Sequence, residues 1–178
     1  MVKTSRLLLH NDLTVNSDKL RKAVVKLLLD VISVLVILGT VYLLFPVGIS
    51  SNEDMYPFMR EGDIAISYIF DRDYKTGDVV FFKDESGTHI GRIVAKGGDT
   101  IDINGDEKVY VNSYPLSEEV FYPTLPGDKE EIKGIIADNS YYLLCDHRTD
   151  CRDSRYYGTV PKERLLGRVF MVIRRRNI

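Results

Sequence analysis

The sequence has little net charge, few cysteines and no repetitive tract, and each of these shortages excludes a class of protein. Its 24 basic and 26 acidic residues give a formal net charge of -2 at pH 7. Nucleic-acid-binding proteins usually present a strongly basic face, so no nucleic-acid partner is expected. Hydrophobic residues make up 44% of the chain, which argues against a long disordered segment. A length of 178 residues fits one domain with an appendage.

The two cysteines, Cys145 and Cys151, lie close together in the sequence. Without a clustered pair of histidines they are too few for a closed structural zinc site, so no metal and no cofactor is expected. In an oxidising compartment they could form a disulfide across residues 146–150. Two free or buried thiols are an equal alternative, because pairing requires a Cα–Cα distance that depends on the fold.

One long apolar run, residues 31–48, contains no charged side chain. About 20 apolar residues cross a bilayer core, so this run and the leucines before it predict a membrane helix. Asp30 interrupts the extended run and is expected near the interface. Four basic residues within residues 19–26 precede the run, and the positive-inside rule therefore places the N-terminus in the cytoplasm and the rest of the chain outside. These residues are Lys19, Arg21, Lys22 and Lys26.

A cleaved signal peptide and a buried core helix are the two alternatives for the apolar run. A signal peptide has a short basic start, whereas roughly thirty residues precede the run here, although Gly48-Ile49-Ser50 offers a weak cleavage site. A buried helix usually shows one polar stripe, and residues 31–44 are apolar nearly all round. The favoured organisation is a cytoplasmic segment 1–26, an uncleaved anchor 27–48 and an extracytoplasmic domain 49–178.

After the anchor, short runs of β-branched and aromatic residues alternate with turn signals. This alternation predicts strands, and Asn104-Gly105 between two short runs predicts a hairpin. The expected fold is mainly β, an antiparallel sheet or barrel that follows one N-terminal transmembrane helix. Residues 161–165 are expected to form one helical turn, and residues 116–133 an exposed loop. The predicted strands are residues 64–69, 78–83, 89–95, 100–103, 108–111, 141–144 and 167–174.

Four ordered segments of the chain resemble the signature boxes of bacterial type I signal peptidases. They are residues 51–57, 77–82, 89–99 and 146–158. The first resembles a Ser-Met-x-Pro box and the second a Gly-Asp-hydrophobic strand. The third resembles a Lys-Arg box with its turn, and the fourth a Ser-x-Asp-Ser-Arg box. The resemblance covers the anchor and essentially the whole outer domain, and it implies a signal-peptidase-like antiparallel β domain.

The two residues that carry the chemistry of that family are replaced in this chain. In the family, a serine just before the box methionine attacks the peptide carbonyl, and a lysine just before the box arginine acts as general base. The matching positions hold Asp54 and Gly91. In the last box, Cys151 stands where the family has a serine that contacts the lysine, and Cys145 and His147 stand where glycine and asparagine are usual. The resemblance therefore implies a scaffold without its catalytic dyad.

By the same resemblance, the domain keeps a cleft that binds an extended peptide along strand edges. The edges would be residues 54–59 and the strand at residues 89–94. Arg92, Asp153 and Arg155 are expected to be structural, with Asp153 paired to one of the two arginines. The expected cleft residues are Asn52, Asp54, Met55, Tyr56, Pro57, His89, Ile90, Gly91 and Arg92.

A signal-peptidase-like chain with both dyad residues replaced resembles degenerate factors that accompany pilus gene clusters in streptococci. That resemblance implies a non-proteolytic assembly factor, or chaperone, at the outer face of a Gram-positive membrane, with pilin subunits, a sortase or both as partners. One alternative is an active peptidase that uses an acid pair of Asp54 with Asp146 or Asp153, or the thiol of Cys151. Another is a structural module that forms a homodimer through its outer domain.

Overall fold

The computed structural model describes residues 2–118, 122–128, 131–149 and 151–175, with side chains from Lys19 onward. The chain divides into two units, Met1–Leu43 and Leu44–Ile178. Helix α1 runs over Val2–Leu44, so it includes most of the segment predicted to precede the anchor. Within its stretch Lys19–Leu44, an 18-residue window has a mean hydropathy of 2.5 and no buried residues, so the helix is long and apolar enough to span a membrane. This helix fits a single-pass membrane anchor.

The helix ends earlier than the apolar run that predicts the anchor. Pro46 has no backbone N–H to donate and disfavours helical geometry at Phe45, so the helix stops at Leu44. Val47 and Gly48, which the sequence places in the anchor, instead belong to the first strand. Gly48 lies against the Phe81 ring, where an added Cβ would come within 2.6 Å of a ring carbon. This close approach explains why a glycine occupies the middle of the strand.

The second unit consists of two antiparallel sheets. The larger sheet has the order β1-β2-β11-β3-β4-β9-β10, and the smaller has the order β7-β6-β5-β8. A short helix, α2, covers Ser154–Tyr157, and a 3-10 turn covers Lys162–Arg164. The strands are β1 Val47–Ile49, β2 Ile64–Tyr68, β3 Val79–Lys83, β4 Thr88–Lys96, β5 Thr100–Ile103, β6 Val109–Val111, β7 Tyr114–Pro115, β8 Ile132–Ile135, β9 Ser140–Leu144, β10 Val160–Pro161 and β11 Leu165–Ile173.

The predicted fold class is confirmed, because all seven predicted strands overlap observed antiparallel strands. The hairpin at Asn104-Gly105 joins β5 to β6, with Ile103 opposite Val109. One loop prediction is wrong at its C-terminal end. Residues 132 and 133 lie in β8, because β5 supplies hydrogen-bond partners that the local sequence does not reveal.

The core cluster that supports the cleft region contains two methionines from the segment between β1 and β2. Met55 and Met59 are buried there with Val79, Phe81 and the two cysteines. Burying a side chain of this size stabilises the fold by about 1.5–3 kcal/mol. The segment is also closed at its base, since the Ser50 amide donates to Asp63 O at 2.9 Å and the Gly62 amide donates to Ser50 O at 2.8 Å. Buried methionines and this closure fix the position of Asp54.

Candidate peptide-binding site

Asp54 lies in the closed segment between β1 and β2, and its carboxylate is half-buried. Asn52 Nδ2 donates to Asp54 Oδ2 at 2.7 Å, and the His147 amide donates to Asp54 O at 2.9 Å. Burial raises the pKa of the Asp54 carboxyl, and the hydrogen bond from Asn52 together with the nearby His147 and His89 opposes part of that rise. Asp54 is therefore a weaker acid than an exposed aspartate.

A cavity of about 240 Å³ opens beside the Asp54 carboxylate. The segment after β1 contributes Ser51 and Asn52 to its wall, and the start of β4 contributes Thr88, His89 and Ile90. Cys145, Cys151 and the exposed Arg152 complete this side of the wall. The cavity therefore collects four of the nine predicted cleft residues, which are Asn52, Asp54, His89 and Ile90.

Gly91 is not among the residues that line this cavity. A Cβ at Gly91 would lie 3.4 Å from Leu143 Cβ and 3.5 Å from a Phe82 ring carbon. Both of those neighbours belong to the hydrophobic core. At Gly91, the position matched to the family's lysine, a side chain would therefore point into the hydrophobic core.

One edge of β4 is free of a strand partner next to the cavity. On one side, residues 88–92 pair with β3. On the other side, pairing with β9 begins only at Arg92, which lies opposite Leu144. Within the described part of the chain, residues 88–90 therefore keep one unpaired backbone edge. The predicted groove edge at residues 89–94 is corrected to this shorter stretch, because β9 covers the strand from Arg92 onward.

The remaining predicted cleft residues lie elsewhere. Met55 has no exposed surface and packs in the core, so it does not form the surface of a cleft. Tyr56 is half-buried, with the Arg60 guanidinium 5.3 Å from its ring centroid. Pro57 and Arg92 line a second cavity of about 560 Å³, together with Ser117, Glu118 and Asp146 among others.

Two arginine–carboxylate pairs hold the charged residues Arg92, Asp146, Asp153 and Arg155 in place. Arg92 Nε donates to Asp146 Oδ1 at 2.7 Å. Asp153 Oδ1 accepts from Arg155 Nε at 2.8 Å, and its Oδ2 accepts from the Cys145 amide at 3.2 Å. Of the two predicted partners for Asp153, the structure thus selects Arg155. Asp153 also caps α2 by accepting from the Arg155 amide.

Arg148 is a structural residue that the sequence analysis missed. Among the side chains that the structure describes, it is the largest that is fully buried, and its guanidinium donates to Glu118 Oε2 at 2.7 Å, to Thr124 Oγ1 at 2.8 Å and to Cys145 O. Its position inside the last signature box is the one sequence feature that could have indicated a structural role. Its partners could not be predicted, because they lie 24 and 30 residues away in sequence. It ties the loop between the two cysteines to the segment around Glu118.

The structure decides between the two alternatives for the cysteines. Cys145 and Cys151 are joined in a disulfide, with their Cα atoms 6.2 Å apart. Their sulfurs and an Asp54 carboxylate oxygen all lie within 4.8 Å of one another. Because the sulfurs are bonded to each other, they are not thiolate metal ligands in this state.

The contacts around Asp54 oppose both alternative peptidase mechanisms. Asp146 and Asp153, the two candidate partners for an acid pair, are each held by an arginine. Cys151 is oxidised and is not a thiol nucleophile. His89 Nε2 contacts both Ser86 Oγ at 2.7 Å and Asp84 Oδ1 at 3.0 Å. A catalytic triad instead uses the two different ring nitrogens of its histidine, so this trio is not a proton relay.

An anchored antiparallel β domain with a small cavity at a free strand edge is the class of protein that these features define. Residues 21–174 match the family described as signal peptidase, peptidase S26. The chain belongs to this family, which confirms the resemblance of its four boxes.

Individual proteins similar to this chain share between 20% and 34% of its residues over the matched regions. The chain is 27% identical over 158 residues to a Staphylococcus aureus protein called inactive signal peptidase IA, covering 83% of this chain and 90% of that protein. It is 34% identical over 108 residues to a probable signal peptidase I-2 of Synechocystis sp. PCC 6803, covering 56% of this chain and 48% of that protein. A crystal structure of a signal peptidase I from Enterococcus faecalis V583 is 20% identical, has a TM-score of 0.46, and is matched over 56% of this chain and 97% of that one.

Proposed function

We propose that this chain is a non-proteolytic, membrane-anchored assembly factor that binds an extended segment of a protein partner in the Asp54 cavity. One observation carries the proposal: the positions matched to the nucleophile and base of its family hold Asp54 and Gly91. Losing such a residue costs a comparable hydrolase on the order of 10⁶ in turnover, or roughly 8 kcal/mol of barrier. The name of the S. aureus relative, inactive signal peptidase IA, supports the same reading.

The free edge of β4 supports peptide binding. An extended segment can add to the unpaired backbone of residues 88–90 by strand addition, with its side chains alternating between the cavity and solvent. The Ile90 side chain and the Asp54 carboxylate then offer the bound segment one apolar and one acidic contact. This mode of binding needs the shape of a signal-peptidase cleft but not its dyad.

The proposed partners are pilin subunits, a sortase or both. What supports them is the resemblance of the substituted dyad positions to those of degenerate factors that accompany streptococcal pilus genes. With Lys19, Arg21, Lys22 and Lys26 in the cytoplasm, the β domain would work at the outer face of a Gram-positive membrane. There it would meet secreted subunits as they leave the membrane.

A binding experiment with a matched pair of variants tests the proposal. The full chain in detergent micelles is immobilised, and purified pilin and sortase are titrated over it by interferometry. Ser51→Trp fills the Asp54 cavity from an exposed position, whereas Ser117→Trp makes the same change beside the second cavity. We expect saturable binding of at least one partner, weakened about tenfold by Ser51→Trp, or roughly 1.4 kcal/mol, and unchanged by Ser117→Trp.

Other outcomes would replace the proposal. If neither partner binds saturably, or both variants bind like the unmodified chain, the cavity is not the binding site. If a pilin precursor incubated with the chain across pH is cleaved, and Asp54→Ala or Cys151→Ala abolishes the cleavage, the chain is an active peptidase. A homodimer seen by light scattering that excludes the partner would instead support a structural module.

A further inference from the structure

The Cys145–Cys151 disulfide lies at the wall of the same cavity as Asp54. Both cysteines are less than 5% exposed to bulk solvent, yet both line the cavity. A reagent that reaches their sulfurs in the folded protein would therefore arrive through the cavity. An Asp54 carboxylate oxygen lies within 4.8 Å of both sulfurs.

The loop that the disulfide closes makes several contacts besides the disulfide. Arg148 is bound by Glu118 and Thr124, and Arg155 Nη2 donates to Arg148 O at 2.7 Å. Asp146 is paired with Arg92. We expect these contacts to keep both cysteines beside each other when the disulfide is opened, so that the bond can break and re-form while the domain stays folded. Because other contacts also stabilise this loop, the disulfide can take part in a reaction without unfolding the domain.

We propose that the Asp54 cavity is a thiol–disulfide exchange site for a cysteine thiol, with Asp54 as the proton donor to the departing sulfur. An incoming thiolate forms a bond to the Sγ atom of one cysteine, and the Cys145–Cys151 bond breaks. The other Sγ leaves with the electron pair and takes the Asp54 proton, either directly or through one water. A second thiol can release the first, so that two thiols are oxidised to one disulfide and the cysteine pair is reduced.

The surroundings of Asp54 suit this role. Burial raises the pKa of its carboxyl, so the acid form persists to a higher pH than in an exposed aspartate. Among the other titratable groups that act on it, His147 and His89 lower the pKa of Asp54 and Asp153 raises it. The Tyr157 hydroxyl also interacts electrostatically with Asp54. Arg152 at the cavity wall would favour an approaching thiolate. Two sources of the thiol fit this site: a small molecule, and a cysteine in a segment bound at the β4 edge.

The test follows mixed-disulfide formation by the full chain in detergent micelles, without denaturant. Glutathione and an acetylated Ala-Val-Cys-Val-Ala amide are the two thiol probes, and samples are acid-quenched, alkylated and weighed by intact mass spectrometry. We expect a mixed disulfide whose rate is first order in thiol. Asp54→Asn should slow it about tenfold at equal thiolate concentration, whereas the control Glu85→Gln, an equal charge change at an exposed position, should not.

Each result has a clear meaning. A faster reaction of the peptide supports a cysteine-bearing segment as the substrate, and a faster reaction of glutathione supports a small thiol. Exchange that occurs only at urea concentrations that unfold the domain would overturn the proposal and leave a purely structural disulfide. Equal rates for Asp54→Asn and Glu85→Gln would overturn it as well. Because no pilin or sortase is present, failure of the binding proposal would not affect this result.

Discussion

Two of the segments that line the Asp54 cavity differ in how they hold their polar groups. In residues 145–149 and 151–158, Arg148, Asp153 and Arg155 are buried. Arg148 is paired with Glu118, and Arg155 is paired with Asp153 and donates to Arg148 O. In the segment between β1 and β2, Ser51 and Asn52 are exposed, and Asp54 is half-buried with one side-chain hydrogen bond from Asn52. The first segment is an internal network, and the second is a surface loop anchored by methionines.

This difference explains which residues of a signal-peptidase-like site can be substituted with little loss of folding stability. A buried charge that loses its partner destabilises a protein strongly, so the network is hard to alter one residue at a time. A half-exposed side chain such as Asp54 is still solvated, so its identity has little effect on folding. The shape of the cavity and the chemistry at its floor are therefore set by separate residues.

The largest effect is expected from breaking the buried network. Arg155→Ala leaves the Asp153 carboxylate buried without its main partner and removes the donors to Arg148 O and Leu125 O. We expect a loss of about 3–5 kcal/mol in the free energy of unfolding, measured by urea titration of the full chain. The control Arg152→Ala changes an exposed arginine in the same loop and should cost under about 0.5 kcal/mol. Similar losses for both variants would show that the network is not what stabilises this segment.

A smaller effect is expected from opening the disulfide. In the chain-entropy treatment, a cross-link between residues six apart stabilises the fold by about 2 kcal/mol. Cys145→Ser combined with Cys151→Ser should lower the free energy of unfolding by this amount while leaving the circular dichroism spectrum unchanged. The unmodified chain under a strong reductant is the matched control and should show the same loss. Unfolding of the double variant at 25 °C would contradict the shared structural role argued above.

The smallest effect is expected at Asp54, where a substitution should raise rather than lower the free energy of unfolding at neutral pH. Because its folded pKa is raised, its contribution to stability is fully present below the unfolded pKa and is lost as pH rises through the folded pKa. Asp54→Asn should therefore gain stability relative to the unmodified chain as pH increases from about 3 to 7. For this half-exposed group we expect less than about 1 kcal/mol, measured as the difference between urea titrations at the two pH values.

Asp84 provides the contrasting control. Its hydrogen bonds, chiefly from Ser86, lower the pKa of its carboxyl to about 2. Its stabilising contribution is present above the unfolded pKa and is lost as pH falls through about 2. Asp84→Asn should therefore lose stability at pH 7 relative to the unmodified chain, opposite to Asp54→Asn. The same sign for both variants would show that Asp54 is not desolvated by the cavity wall.

The strands that the sequence predicted well are those whose own residues carry the signal. Thr100–Ile103 was predicted with its observed bounds, because turn residues flank a short apolar alternation. The strands at Val47–Ile49 and Ile132–Ile135 were missed. The first continues an apolar run typical of a membrane helix, and the second contains Gly134 and lies at the edge of the smaller sheet. Both depend on the pairing that β2 and β5 provide.

By itself, the sequence determined the apolar helix, the mainly β domain and the family, because hydrophobic runs, alternation and ordered motifs are local properties of a chain. The identities at positions 54 and 91 are also sequence facts, whereas their loss of catalytic function stays a prediction. Only the tertiary structure decided that Cys145 pairs with Cys151, that Asp153 pairs with Arg155, and that residues 88–90 keep a free edge. Those features depend on which distant groups meet when the sheets pack, and no local pattern encodes such a meeting.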